Sequence, residues 1–319
     1  MLFRVLCAVL CWAAAGAAFG AYPDRPIRLI APFAPGGNID ITARTIAPGM
    51  SEQLGQSVVV ENRGGAGGRI GTEFVAKAAP DGYTWLLGSS GSLTVNPVFT
   101  SHPAYDPLRD FAATSLVSEV PLVLAVHPSL PARNAKQFIA LAKAKPGEIL
   151  MASAGTGSNT HLTGELFQVL TGVKLTHVPY KGAGPAVTDL IAGHTHCIFD
   201  QVSSSGRFVK VGKLRALAVT STKRSAILPD VPTMAEAGAP GVESSAFTGV
   251  FLPSATPRDI VARIHAALVK VLERPAVRET FSRLGAEIIK STPEEATRRI
   301  SGDLAKWRKV QQKTGIKID

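Results

Sequence analysis

An α/β fold is what the sequence predicts, and three observations predict it. Short β-rich runs alternate with amphipathic helical patterns from Ile27 onward, which argues for βαβ units and parallel sheets. Each run ends in a loop of Gly, Ser, Thr, Asn or Pro, and these loops share chemistry but not sequence. The chain of 319 residues is 45% hydrophobic and only 18% charged, the balance of a globular protein of about two domains.

Six strand–loop pairs carry the pattern. Residues 27–31 lead into loop 32–38, 58–60 into 61–68, and 84–87 into 88–92. In the second half 149–152 precede 153–161, 175–178 precede 179–185, and 195–199 precede 200–205. Ile39, Ala43, Ile46, Ala47, Met50 and Leu54 form one helical stripe closed by Gly55. Pro48-Gly49 interrupts it, and an interior proline costs roughly 3 kcal/mol, so this helix is expected to be kinked or broken there. Thr292-Pro293-Glu294-Glu295 reads as a capping box opening a long final helix through about Lys313. The apolar runs 121–126 and 249–253 flank the second block of βα units. They predict two α/β domains joined by two crossing strands, with the last quarter of the chain returning to the first. The expected boundaries are a leader at 1–20, domain 1 at 21–123 plus 247–319, and domain 2 at 124–246.

The leader is read from residues 1–21, which hold no acid and one base, Arg4, followed by an apolar run at 5–18. That run has the length of a signal-peptide core, and Ala18-Phe19-Gly20 fits a small-x-small cleavage site. The mature chain is expected to start near Ala21 in a bacterial periplasm. Neither Cys7 nor Cys11 follows a Leu-small-small triplet, so no lipid anchor is expected, and Cys197 alone remains in the mature chain. The net charge of +10 becomes +9 without Arg4, and residues 257–319 carry 14 Lys/Arg against 8 Asp/Glu. These bases are spread along helices with little aromatic interleaving, the pattern of a solvated face. Nucleic-acid binding wants a clustered stripe or stacking platform and is not expected.

Chemistry is expected at the strand ends, where ligands of open α/β sheets bind and helix N-termini suit anions. Residues 34–38, 64–68, 88–92 and 155–160 are four such loops, rich in Gly, Ser, Thr and Asn. Apart from Arg63, Arg69 and Lys181 they hold almost no base, so a carboxylate would be bound by backbone N–H and hydroxyls instead of an Arg clamp. Asp40 and Asp200 each follow a strand end and could take a ligand donor or fix loop backbone. Enzyme signatures are poor. The loop around Ser158 lacks the last glycine of a nucleophile elbow, there is no Walker loop, and Gly65–Ile70 lacks the third glycine of a dinucleotide fingerprint. No cofactor is expected. His194 and His196 would share one strand face beside Cys197, but no further ligand cluster accompanies them, so no metal site is expected. A secreted hydrolase using Ser158 or Ser90 with His161 is the rival reading.

Along the chain, Tyr22-Pro-Asp-Arg-Pro-Ile-Arg28, Pro32-Phe-Ala-Pro-Gly-Gly37 with Asp40 and Ala43-Arg44, and Val59-Val-Glu-Asn-Arg63 form an ordered set. Pro80-Asp-Gly-Tyr-Thr84, His177-Val-Pro-Tyr-Lys-Gly182 and Leu228-Pro-Asp-Val-Pro-Thr-Met-Ala-Glu-Ala-Gly238 extend it. Together they resemble the tripartite tricarboxylate transporter substrate-binding family, also called Bug or TctC-type receptors. The resemblance implies a type II periplasmic binding-protein fold whose cleft closes on a small organic carboxylate, a class that includes amino acids and aromatic acids. It implies delivery to membrane permease subunits, no catalysis, and a monomer; docking on a signalling partner as a carboxylate sensor is the alternative. By position, Phe33, Ala34, Gly37 and Asn38 would face the ligand from one domain and Thr156, Ser158 and Asn159 from the other. Ser89, Tyr180 and Asp200 are further carry-overs. Ile39, Gly64, Pro48-Gly49 and the segment 203–207 depart from the family pattern.

Overall fold

The computed structural model describes residues 22–318, and the segment read as a leader lies outside them. Strands β1 (Ile27–Ala31), β2 (Val58–Asn62) and β3 (Thr84–Ser89) are parallel and are linked through helices α1 (Asn38–Leu54) and α2 (Arg69–Ala76). A π-helical turn (Gly91–Val95) and the short α3 (Asn96–Phe99) follow β3 and lead to β4 (Phe111–Val126). The second block runs α4 (Ala135–Ala144), β5 (Leu150–Ser153), α5 (Asn159–Thr171), β6 (Thr176–Pro179), α6 (Ala183–Ile191), β7 (Cys197–Gln201), α7 (Val202–Lys210) and β8 (Arg215–Val219). Strand β9 (Ser245–Pro253) then returns, followed by α8 (Arg258–Glu273), α9 (Pro275–Arg283), β10 (Glu287–Ile288) and α10 (Pro293–Thr314).

Strand β4 ties two α/β lobes together. From Phe111 to Pro121 it pairs antiparallel with β9, from Leu122 to Val126 it pairs with β7 on one side, and from Val123 to Val126 with β8 on the other. Pro121 stands at the change of partner, where a missing N–H is least costly. The sheet order is β2-β1-β3-β9-β4-β7-β5-β6, with β8 and β10 also on β4. The two extended runs of the sequence are thus β4 and β9, paired with each other, and β4 begins ten residues earlier than its apolar run. Its first half carries Thr114, Ser115 and Ser118, all buried and all satisfied inside the sheet. Thr114 Oγ1 donates to Val250 O at 2.8 Å, and Ser118 Oγ meets Thr248 Oγ1 at 2.9 Å.

The break offered as one outcome at Pro48 is corrected: α1 runs as one helix from Asn38 to Leu54 with Pro48 inside it. Its buried stripe is the predicted one, and Gly55, in a left-handed conformation, returns its N–H to Ser51 O. Packing outweighs the local penalty here. Gly49 lies against Val271 of α8 so closely that a Cβ would come within 2.9 Å of it, and Arg274 reaches Glu52 at 2.7 Å. At the other end of the chain the capping box forms as read. Thr292 Oγ1 accepts from Glu295 N at 3.2 Å and Glu295 Oε2 from Thr292 N at 2.8 Å.

A second correction concerns His194 and His196. Strand β7 begins only at Cys197, so neither imidazole lies on it. His196 Nδ1 instead accepts from Leu150 N at 2.8 Å, and His194 faces Asp189 at 3.5 Å. These bonds tie the turn before β7 to the end of α6 and the start of β5.

Candidate functional site

Parallel strands end on one side of a sheet, and here five of those ends feed helical segments that point at a common space. A cavity is lined by Gly37, Asn38 and Ile39 at the start of α1 and by Ser90 and Gly91 at the π-helical turn. Ser158, Asn159 and Thr160 at the start of α5, Ala183 of α6 and Gln201 before α7 face them. The first N–H groups of a helix have no partner within it and sit at the positive end of its dipole. No side chain caps α1, α6 or α7. Helix α5 is capped by Ser158, whose Oγ accepts from His161 N at 3.2 Å, so the N–H groups of Asn159 and Thr160 stay clear of that cap. Gly91 keeps this corner open, since a Cβ there would sit 3.1 Å from Asn159 N.

None of the side chains lining the cavity is charged. Its character is apolar wall (Phe33, Ile39, Ala154, Ala246) with backbone amides, hydroxyls and carboxamides at the helix starts. Such a surface can hold an anion by hydrogen bonds and dipoles. It offers neither a metal cage nor a base–nucleophile pair. Ser158 Oγ bonds Thr160 Oγ1 at 2.8 Å, and His161 Nδ1 accepts from Gly157 N at 3.2 Å, so the imidazole serves the loop backbone and not the hydroxyl. His161 stacks on His177 with ring centroids 3.8 Å apart. Burial first, then the neighbouring His161, push the His177 imidazole down to about 4.

Of the residues singled out in the sequence, the structure brings together Phe33, Gly37, Asn38, Ser89, Ser158 and Asn159 around the cavity. Ala34, Thr156 and Tyr180 line a separate depression with Lys181 and Pro185. There the Tyr180 hydroxyl donates to Asp189 Oδ2 at 2.7 Å and is pushed up to about 12 by burial and by that carboxylate. Asp200 is fully buried beneath the start of α7, where its Oδ2 accepts from Ser204 and Ser205. Burial pushes its carboxyl up to about 6. It is Gln201, one residue on, that reaches the cavity. Asp40 fixes loop backbone: Oδ2 accepts from Gly36 N at 3.1 Å and Oδ1 pairs with Arg44 at 2.9 Å. Gln201 and Ala246 also line the cavity without having been singled out, and Ser90, named for the rival hydrolase reading alone, lines it too. Ser90 lay inside a loop already marked by its glycines, whereas nothing in the local sequence marks Ala246.

The lobes touch directly at several points. Ala34 N donates to Lys181 O at 2.8 Å, and Ser203 Oγ donates to Asn38 Oδ1 at 2.7 Å. Gly184 lies so close to Pro35 that a Cβ would stand 2.0 Å from its carbonyl oxygen.

This architecture has known counterparts. The BugT protein of Bordetella pertussis is 41% identical over 298 residues, covering 93% of this chain and 91% of that one. The structure of the periplasmic binding protein BugD superposes with a TM-score of 0.90 at 37% identity, covering 93% of this chain and 99% of its own. That of R. palustris Rpa4515 with adipate does so at 0.89 and 36% identity, with coverage of 93% and 99%. The family described as the tripartite tricarboxylate transporter family receptor matches residues 42–316. With its two lobes, its crossing strands and a match spanning most of its length, the chain belongs to that receptor family.

Proposed function

We propose that this chain is an exported receptor that binds a small organic carboxylate between its lobes and hands it to the permease subunits of a tripartite tricarboxylate-type transporter, performing no chemistry on it. The observation that carries the reading is the convergence of helix N-termini from both lobes on one uncharged cavity. A carboxylate bridging them is held by backbone N–H groups and dipoles from both sides, which couples binding to closure. The adipate bound by the R. palustris relative is of this chemical class. The lobes of this reading are residues 21–123 plus 247–319, and 124–246. The working compartment is the periplasm, reached by cleavage near Gly20, and the working form is a monomer.

The experiment is a stability screen of the purified mature protein against dicarboxylates, tricarboxylates, amino acids and aromatic acids, with native mass spectrometry of protein taken directly from its host. A true ligand at a hundredfold excess over its dissociation constant should stabilise the fold by about 2.7 kcal/mol. A panel without a single stabiliser, together with an empty protein in the mass spectrum, would sink the receptor reading. Intact mass of the exported chain tests the cleavage position in the same run.

A further inference from the structure

Resting on that receptor reading, we infer that the cavity selects acids whose remaining polar groups are oxygens, and turns away their α-amino counterparts. Asn38 is the side chain that reads this difference, and Ser90 adds a hydroxyl that strengthens binding of either kind of group. Asn38 is only 4% exposed, and its Oδ1 is committed to Ser203 Oγ at 2.7 Å. That leaves Nδ2, a donor only, buried in the cavity wall with no partner. Ser90 is 2% exposed, and its Oγ is likewise buried without a partner. Its carbonyl accepts from Thr94 Oγ1 at 2.8 Å, which holds the residue in the first turn of the π-helical segment. Buried polar groups in folded proteins are nearly always hydrogen-bonded. Among the described residues Thr72 Oγ1, Thr195 Oγ1 and Asp200 Oδ1 also lack a partner, but Asn38 Nδ2 and Ser90 Oγ are the two that line the cavity, and the Asn38 donor marks where a bound molecule places an oxygen.

An ammonium group meets the opposite conditions. It carries three donors and needs acceptors around it, and a buried cation without a counter-charge is strongly disfavoured. No carboxylate lines the cavity among the described residues. Two carboxylates adjoin lining residues in sequence: Asp40 is held by Gly36 N and Arg44, and Asp200, behind Gln201, has Oδ2 on Ser204 and Ser205 and Oδ1 buried without a partner. The carboxamide oxygens of Asn38 and Asn159 each already accept one bond, from Ser203 and Ser244, the latter at 3.2 Å, and the acceptors that remain in the wall, the Gln201 carboxamide among them, are neutral. The helix N-termini add positive potential from several directions. A ligand ammonium would therefore face the Asn38 donor and repelling dipoles with only neutral acceptors around it, whereas a hydroxyl, carbonyl or second carboxylate oxygen satisfies Asn38 and can also bond Ser90.

The test uses matched carbon skeletons differing in one group: succinate, malate and aspartate; glutarate, 2-hydroxyglutarate and glutamate; adipate and 2-aminoadipate. Titration calorimetry on the mature wild-type protein is expected to show, in the set that fits best, an oxygen acid binding at least about tenfold tighter than its amino partner, the margin of a single hydrogen bond to a buried polar group. Asn38→Asp, which replaces the donor by an acceptor, should weaken the oxygen acid by a similar factor and narrow the discrimination. Ser90→Ala should weaken it without favouring the amine. An amino acid bound as tightly as its oxygen counterpart, or variants with unchanged selectivity, would overturn the inference while leaving the receptor reading intact. If no skeleton binds, the exact mass of the acid carried from the host decides. A formula of carbon, hydrogen and oxygen supports the inference, and an amine overturns it. A protein that neither binds nor carries any acid refutes the receptor reading instead, and this inference with it. Should a variant fail to fold, the wild-type series alone decides between these outcomes.

Discussion

The contact between Gly184 and Pro35 allows closure to be tested separately from folding. Gly184 is the second residue of α6 and has ordinary helical geometry, so Gly184→Ala carries no backbone strain within its own lobe. In a helix interior the same exchange is favourable by about 0.5–1 kcal/mol, and less in a first turn. Across the cleft it is hostile. The new Cβ would lie 2.0 Å from the Pro35 carbonyl oxygen, whereas real Cβ contacts do not come inside 3.0 Å. The loops must therefore part by at least about 1 Å, which stretches the 2.8 Å bond from Ala34 N to Lys181 O beyond useful hydrogen-bond range. The neighbouring bond from Ser203 to Asn38 is strained by the same displacement. Losing one or both, at about 0.5–1.5 kcal/mol each, predicts an affinity loss of about twofold to 150-fold for the carboxylate that the wild type binds best. Urea unfolding of the unliganded variant should be unchanged or slightly improved. Solution scattering should show less compaction on adding ligand. Wild-type affinity together with wild-type compaction would refute the claim that this contact belongs to the ligand-binding conformation.

Three further outcomes follow from local chemistry. Gly302→Ala, in the middle of α10 with nothing within 4 Å of the added Cβ, should raise unfolding stability by about 0.5–1 kcal/mol and leave affinity alone; a loss of stability would mean that this helix is constrained in some other way. Thr292→Ala removes the capping box of α10 and should cost about 1 kcal/mol, read as a shift of the urea midpoint without a change in ligand affinity. His177, held down to about 4 by burial and His161, with Glu165 opposing and Ser153 Oγ on its Nε2 at 2.6 Å, takes up a proton in the unfolded chain near its ordinary value of 6.5 but not in the folded one. Stability should therefore fall as pH drops from about 6.5 to about 4 and level off below. His177→Gln should flatten that part of the profile, and an unchanged profile would remove His177 as its source.

What the sequence could and could not convey follows from the distance over which each signal acts. The stripe on α1, the Gly55 stop and the Thr292 cap are decided within a few residues, and all three stand where the pattern put them. The first half of β4 was invisible because its inward positions carry Thr and Ser, whose partners lie on β9, far along the chain. A buried hydroxyl pair looks polar until its partner is known. Pro48 failed for a similar reason, since what holds α1 through it is a helix that the sequence reaches only near its end.

At the cavity the signal separates by one residue. Successive strand side chains point to opposite faces, so whether Asp200 or Gln201 meets a ligand depends on how the end of β7 lies against its neighbours. The loop composition is the same in either case. The structure puts Gln201 at the cavity and gives Asp200 to Ser204 and Ser205. The segment 203–207, which departs from the family pattern, thereby acquires a physical consequence. Ser203 fixes the carboxamide of Asn38, while the next two serines hold the buried carboxylate away from the cavity. Differences in ligand between this receptor and its relatives are therefore to be sought first in the serines that set these two side chains. The glycine loops, which any carboxylate would need, come second.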